Sequence, residues 1–126
     1  MTEHVETQRK RRGHRFYPTK EELRATPPLY DTDGKPTAEK IVTLHYFTGS
    51  ADWWIVELDP EEMIGFGYAC LGDPSMAEWG YVSLPELEEL NVRHPQGFDI
   101  IVERDLHWNA RPASECDLPG QNARLT

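Results

Sequence analysis

Short strand-like runs separated by turn sequences are the feature that most limits what this chain can fold into. The turn-forming stretches, at residues 49–52, 59–62 and 72–75, are too short to hold a crossover helix, so successive strands must pair antiparallel. This spacing predicts a meander. The runs themselves cover residues 41–47, 53–58, 63–71 and 78–82.

Two helix starts flank these runs. Thr19 and Ser83 are each followed three residues later by a glutamate, Glu22 and Glu86, which is the spacing of a capping box. The second helix has its leucines on one side, which predicts that Glu88 faces solvent. With a further strand at residues 98–108, the fold class is predicted to be α+β, with a small antiparallel sheet of about five meander-like strands and two short capped helices.

Charge and apolar residues divide the chain into three parts. Residues 1–15 carry 5 basic and 2 acidic side chains, whereas the rest carries 8 basic and 20 acidic ones, for a net charge of −9 overall. Aliphatic and aromatic residues concentrate between positions 41 and 108. We therefore expect a disordered basic arm at 1–15, a single α+β domain at 16–112 and an irregular C-terminal tail at 113–126.

The run at residues 98–108 is interpreted as one extended strand that closes the core. Side chains alternate between the two faces of a strand. One face then carries an arginine among apolar residues, and the other carries acidic residues and a histidine. The first face holds Ile100, Val102, Arg104, Leu106 and Trp108; the second includes Glu103, Asp105 and His107.

Arg104 lies on the core-facing side of this predicted strand. A buried guanidinium loses several kcal/mol of hydration unless it is paired. It therefore needs a carboxylate, for example from Glu57 or Asp52, or an anionic ligand. A bulge at Arg104 would instead turn the side chain towards water.

Glu103, Asp105 and His107 lie about 6.5–7 Å from one another along the same face of the predicted strand. A carboxylate beside an imidazole is a workable acid–base pair, and such a row can also approach one divalent ion. With Arg104 they are the candidate catalytic residues of a metal-assisted hydrolase. The alternative is that this row is simply the solvated face of an edge strand.

Recognised catalytic motifs are missing from the sequence. It has no glycine-rich phosphate loop, no nucleophile elbow and no His-Glu-x-x-His motif. We therefore predict no cofactor and no dedicated metal site, and we favour a protein without enzymatic activity.

Tryptophans mark the predicted partner-binding surface. Trp53 and Trp54 are adjacent, so an extended backbone sends them to opposite faces, and one of them must be covered by another element or left exposed for a partner. With Arg104 and Trp108 they form the predicted surface for another protein.

The basic arm offers a second type of partner. Clustered arginine and lysine side chains attract nucleic-acid phosphates, in a salt-dependent way. The acidic body repels the same backbone, so any nucleic-acid contact is predicted through the arm alone. The arm residues are Arg9, Lys10, Arg11, Arg12 and Arg15.

Cysteine usage and hydropathy suggest the compartment. Cys70 and Cys116 have no metal-finger or redox-motif spacing, which is typical of a reducing compartment. No secretory signal and no apolar run of about 20 residues is visible. We expect a cytoplasmic protein without a membrane partner; its oligomeric state is left open.

An ordered set of segments between Thr19 and Pro112 resembles domain of unknown function family 2958. The resemblance implies a small one-domain α+β protein of bacteria, often encoded on plasmids and other mobile elements, and it brings no catalytic residues. The segments are 27–30 (PPLY), 45–48 (HYFT), 54–59 (WIVELD), 66–69 (FGYA), 78–84 (EWGYVSL) with 86–87 (EL), and 101–108 (IVERDLHW).

These observations favour an accessory protein of a mobile genetic element that works by binding another protein. The alternatives are a metal-assisted hydrolase that uses Glu103, Asp105 and His107, and a nucleic-acid binder that acts through the basic arm.

Overall fold

A computed structural model describes residues 3–120, with the backbone alone at Asp99. The helices are α1 (Arg9–Arg12), α2 (Lys20–Ala25) and α3 (Leu84–Glu89). No helix in this described part is long and apolar enough to cross a bilayer. The strands are β1 (Ile41–Val42), β2 (Leu44–Thr48), β3 (Ala51–Asp59), β4 (Ile64–Cys70), β5 (Glu78–Ser83), β6 (Asn91–Arg93), β7 (Asp99–Ile101), β8 (Glu103–Arg104) and β9 (Arg111–Pro112).

The main sheet has five antiparallel strands in the order β5-β4-β3-β2-β8. Strands β2 to β5 form a meander, and β8 returns from the C-terminal half of the chain to pair with the outer edge of β2. This confirms the predicted α+β fold with a small five-stranded sheet. Two short ribbons accompany it: β1 pairs with β9, and β6 pairs with β7.

Both faces of the main sheet are covered. On the first face, Phe16 packs with Tyr46, Ile55 and the buried leucines of α3. On the second face, Trp54 and Tyr68 pack under the segment that follows β9. The sheet is therefore the middle layer of the molecule, with a core on each side.

A bulge interrupts the pairing of β3 with β4 at Val56, between Ile55 and Glu57. Trp54 pairs with Tyr68, and beyond the bulge Glu57 pairs with Phe66. Directly paired residues share a face, so the extra residue moves Glu57 onto the second face, to which a regular strand would not direct it.

Helix capping follows the sequence closely. Thr19 Oγ1 accepts from the Glu22 amide at 3.2 Å, and the Glu22 carboxylate accepts from the Thr19 amide at 2.9 Å. The Ser83 hydroxyl accepts from the Glu86 amide at 3.3 Å. The prediction that Glu88 faces solvent is wrong, because this side chain is completely buried.

The N-terminal segment explains the burial of Glu88, and it differs from the predicted disordered arm. Thr7 and Gln8 donate their amides to the Glu88 carboxylate at 2.8 and 3.0 Å, and Arg12 Nη1 lies 2.9 Å from it. Phe16 then enters the core of the first face. The segment is ordered because a buried carboxylate and an apolar face both need the groups that it supplies.

The run at residues 98–108 is not the single strand that the sequence predicts. Its first part, β7, pairs with β6 in a separate ribbon, and its second part, β8, pairs with β2. Val102 lies between them with its side chain buried in the core. A turn begins after Arg104, where the Trp108 amide donates to the Asp105 carbonyl. The change of partner strand at Val102 breaks the run.

The segment after β9 covers the second face of the sheet. Ala113 and Leu118 are buried there, and the Tyr68 hydroxyl donates to the Pro119 carbonyl at 2.6 Å. Part of the predicted irregular tail therefore belongs to the core, while residues 121–126 lie outside the described residues.

Candidate functional site

Arg104 is buried and forms an ion pair with a carboxylate of the same chain. Its Nη1 lies 3.2 Å from the Glu22 carboxylate, and its Nε donates to the Arg15 carbonyl at 3.1 Å. The partner is thus the capping glutamate of α2, whereas the sequence pointed to Glu57 or Asp52. The inward direction of the side chain agrees with the expected alternation, because Val102 and Arg104 are both buried.

Glu103 and Asp105 have different partners. Glu103 lies 3.3 Å from His14 Nε2, while Asp105 lies 2.9 Å from His45 Nδ1 and accepts from the His107 amide at 3.0 Å. The His107 side chain is exposed. The turn after Arg104 ends the alternation that would have aligned the three. Among residues 3–120, no group of three His, Cys, Asp or Glu side chains is arranged to hold a metal ion.

The tryptophans predicted to bind a partner are mainly core residues. Trp53 and Trp54 do point to opposite faces, but each is only 7% exposed, since both faces of the sheet are covered. Trp108 is half-buried; its Nε1 donates to the Val42 carbonyl at 2.9 Å, and the Arg111 guanidinium lies 4.0 Å from the centre of its ring. Little of this predicted surface is open to a partner.

The five basic residues of the N-terminal segment have different environments. Arg9, Lys10 and Arg11 are exposed on α1. The Arg12 side chain is fully buried, with its Nε donating to the Val102 carbonyl at 2.8 Å. Arg15 is exposed, although its Nε donates to the Tyr17 carbonyl at 3.0 Å. Four of the five basic side chains are therefore exposed, and Arg12 is the exception.

His45 forms a bridge between two aspartates that the sequence did not reveal. Its Nδ1 lies 2.9 Å from Asp105 and its Nε2 lies 2.8 Å from Asp52. Each ring nitrogen therefore has an aspartate within hydrogen-bonding distance. The ring stacks on Trp54 with centroids 5.3 Å apart. The bridge ties the turn after β8 to the β2–β3 hairpin, and it leaves neither nitrogen free to act as a base.

The environment of Asp105 agrees with this bridging role. Burial raises the pKa of its carboxyl, but hydrogen bonds from His45 and from the His107 amide outweigh burial and hold the pKa below its ordinary value. Asp105 is therefore a carboxylate at neutral pH.

The register of the β2–β3 hairpin is the signal that reveals this bridge. A two-residue turn between Thr48 and Ala51 places His45 opposite Trp54 and Phe47 opposite Asp52, all on one face. Residues that are diagonal across an antiparallel pair are within reach of long side chains. The contact of His45 with Asp52 follows from that arrangement, whereas the contact with Asp105 depends on the return of β8.

A second group of side chains forms an open cavity on the second face of the sheet. Its floor is Phe66 of β4, which pairs across strands with Tyr81 of β5. The loop from Tyr30 to Lys40 forms its wall, and the cavity volume is about 350 Å³. This is within the size range of ligand sites. We call it the tyrosine pocket, lined chiefly by Tyr30, Asp33, Lys35, Lys40, Phe66 and Tyr81.

Glu57 anchors the wall of the tyrosine pocket from below. Its carboxylate accepts from the Tyr30 amide at 2.8 Å, from the Thr32 amide at 3.2 Å and from the Thr32 hydroxyl. Burial raises the pKa of the Glu57 carboxyl, but the hydrogen bonds from Thr32 and Tyr30 outweigh burial and lower it. The bulge at Val56 thus gives a charged side chain to the second face, where it orders the loop.

Tyr30 is held in an unfavourable backbone conformation without being buried. Its φ is 72°, in the left-handed region that non-glycine residues seldom occupy. Its side chain is 62% exposed and that of Tyr81 is 60% exposed. Their hydroxyls lie 3.1 Å apart, and this hydrogen bond raises the pKa of the Tyr81 phenol. The hydrogen bond from the Tyr30 amide to Glu57 holds this conformation, and backbone strain of this kind often occurs at functional sites.

The charges around the tyrosine pocket lie at two depths. Lys40 is buried, with its Nζ donating to the Thr32 carbonyl at 2.7 Å and lying 3.5 Å from the Glu57 carboxylate, so its charge is already paired. Asp33 and Lys35 are exposed at the rim. A cavity that has aromatic rings inside and charged side chains at its rim can bind a side chain from another molecule.

The sequence contained a partial signal for the tyrosine pocket. Trp79 and Tyr81 alternate on one face of β5, and Phe66 and Tyr68 do so on β4, which predicts an aromatic face across the two strands. Tyr30 could not be found in this way, since it reaches the pocket from a loop.

The chain matches the model of a known protein family. The model of a family described as protein of unknown function (DUF2958) matches residues 19–115, which is most of the chain. No curated protein and no solved structure matches the chain. The match confirms the resemblance that the ordered segments indicate, and residues 1–18, with the anchors of Glu88, lie outside it. The chain therefore belongs to this family of proteins of unknown function, DUF2958.

Proposed function

We propose that this protein works by binding another protein, without catalysis, as an accessory protein of bacterial mobile genetic elements in the cytoplasm. The genetic setting rests on the family resemblance. The binding role rests on the tyrosine pocket, and this moves the proposed surface away from Trp53, Trp54 and Arg104, which are buried.

The observation that carries the proposal is the exposed tyrosine pair. Tyrosine is enriched where proteins bind one another, because a large ring with a polar tip makes contacts at low entropic cost. The backbone of Tyr30 is held by the hydrogen bond that its amide donates to the Glu57 carboxylate, and Tyr81 lies on the edge strand β5 next to Phe66. A preordered, exposed aromatic pair loses little entropy when a partner covers it.

The test is site-specific photocrosslinking in the full-length chain. A photoreactive phenylalanine analogue at position 81 should give one crosslinked product of defined mass in cells that carry the native element. The same analogue at position 71, where Leu71 is 70% exposed, is the matched control. A Tyr30→Ala change should remove the product at position 81. Identical products at both positions, or none at either, would contradict the proposal.

The nucleic-acid alternative has one supporting observation, the exposed side chains of Arg9, Lys10 and Arg11 on α1. It predicts that a duplex is retained at low salt and that changing all three to alanine abolishes retention. Retention that is unchanged in this variant would exclude α1 as the contact. The hydrolase alternative lacks such support, because no group of three His, Cys, Asp or Glu side chains among residues 3–120 is arranged to hold a metal ion.

A further inference from the structure

We propose that the tyrosine pocket receives the side chain of a lysine or arginine from a basic segment of the partner protein. This inference rests on the proposed function and names the chemistry of the group that enters the pocket.

The aromatic lining is the first argument. Phe66, Tyr81 and Tyr30 follow one another, with ring centroids 5.6 Å apart for Phe66 and Tyr81 and 6.5 Å apart for Tyr81 and Tyr30. Tyr30 and Tyr81 are exposed. The plane of the Tyr81 ring is inclined at 67° to that of Phe66 and at 64° to that of Tyr30. A cation that lies over the face of such a ring is attracted by the negative charge of that face.

Charge on the wall loop is the second argument. Asp33 and Lys35 are exposed where the loop lines the pocket, and Lys40 is buried and already paired with Glu57. Two further exposed carboxylates of the loop, Asp31 and Glu39, border the neighbouring cavity. The excess negative charge therefore belongs to the loop and to the chain as a whole, which carries −9. Such a field steers a basic partner towards this loop and opposes an acidic one.

The same chain contains a precedent for the contact. Lys40 Nζ lies 5.9 Å from the centre of the Phe66 ring, within the range of a cation–π contact. Phe66 therefore already contacts an ammonium group from the buried side of the pocket.

The experiment titrates the full-length protein with three peptide probes: hexalysine, hexaproline and hexaglutamate, each blocked at both ends. Binding is followed by the NMR resonances of the Tyr30 and Tyr81 rings and by calorimetry, at 0.15 M salt. Hexalysine should bind and shift both rings, whereas hexaproline and hexaglutamate should not. Stronger binding of either of these two would overturn the inference in favour of a proline-rich or an acidic segment.

Two variants separate the pocket from the general acidic field. Tyr81→Ala and Asp33→Asn should each weaken hexalysine binding about tenfold. Glu89→Gln removes an exposed carboxylate on α3, a helix of the first face, and should leave the affinity unchanged. Equal affinity in all three variants would show that the peptide binds the acidic body at large and would overturn the inference. The two pocket variants change exposed side chains, and the dispersion of their amide spectra reports whether each one folds.

Failure of this inference and failure of the proposed function give different results. If the product crosslinked at position 81 is formed but hexalysine does not suppress it, the partner binds the pocket through other chemistry. If no position-specific product forms, the binding role itself is contradicted.

Discussion

Glu88 is the residue at which burial and charge are most tightly linked. Its carboxylate has no exposed surface, and it receives the Thr7 amide and hydroxyl, the Gln8 amide and Arg12 Nη1. A buried carboxylate is tolerated only when its oxygen atoms accept hydrogen bonds or pair with a cation. Arg104 illustrates the same principle with Glu22, and Lys40 with Glu57.

Glu88→Gln should destabilise the protein by about 3–5 kcal/mol, because it leaves the buried Arg12 guanidinium without its closest carboxylate. The measurement is the free energy of unfolding in urea. Glu89→Gln, one position further along α3 and exposed, should change it by less than about 0.5 kcal/mol. Similar losses in the two variants would show that the N-terminal anchor contributes little.

Acid should destabilise the protein through the carboxylates that the fold holds charged. Burial raises the pKa values of Glu57, Glu88 and Asp105, but hydrogen bonds outweigh burial and lower all three. A carboxyl whose pKa is lower in the folded state stabilises that state fully above its unfolded pKa, about 3.9 for Asp and 4.3 for Glu. This stability is lost as the pH falls through the folded pKa.

Unfolding in urea at a series of pH values between 7 and 2 measures this dependence. The free energy of unfolding should fall as the pH drops below about 5. Asp105→Asn should reduce the slope, since one of the three groups no longer titrates. A flat profile would contradict the lowered pKa values.

At the scale of elements, the close approach of β3 and β4 depends on a glycine. A Cβ atom added at Gly67 would lie 2.0 Å from the carbonyl oxygen of Trp54, beside the bulge that directs Glu57. Glycine is required here by the backbone of the neighbouring strand, so the bulge and the tyrosine pocket depend on it.

Gly67→Ala should destabilise the protein by about 3 kcal/mol, at the upper end for overpacked sites, because main-chain atoms must move. Gly80 is the matched control: it pairs with Gly67 across β4 and β5, and a Cβ atom there meets nothing within 4 Å. Gly80→Ala should be tolerated, as judged by the thermal unfolding midpoint. Equal shifts in both variants would mean that the strand as a whole, rather than this approach, disfavours a side chain.

At the scale of the whole molecule, part of the hydrophobic core of this protein lies outside the region that the family model matches. Phe16 and Tyr17 lie in the core of the first face, and the Tyr46 hydroxyl donates to the Phe16 carbonyl at 2.8 Å. Both residues precede the matched region, which begins at Thr19. The N-terminal segment of this chain therefore acts as a structural strap across the sheet.

A chain that begins at Thr19 should lose cooperative unfolding, since its first face would be open and Glu88 would be buried without its donors. Calorimetry of the shortened and full chains measures this. The full chain with Arg9→Ala and Lys10→Ala, two exposed positions of the same segment, should melt as the unchanged protein does. A shortened chain with an unaltered transition would disprove the role of the strap.

The sequence by itself determined the features that depend on neighbouring residues. Turn sequences and alternating apolar residues set the meander, and side-chain oxygens of Thr19 and Ser83 set the starts of two helices. These patterns act within a few residues, so they can be read without knowing what lies opposite. The ordered segments likewise indicated the family.

Only the tertiary structure decided which distant groups meet. Glu88 is buried because a segment some 80 residues earlier reaches it, and Arg104 pairs with the cap of α2 because β8 returns beside β2. Tyr30 reaches Tyr81 because a bulge turns Glu57 towards its loop. Each contact depends on burial and strand order across the whole chain, and burial is what makes an unpaired charge too costly to leave.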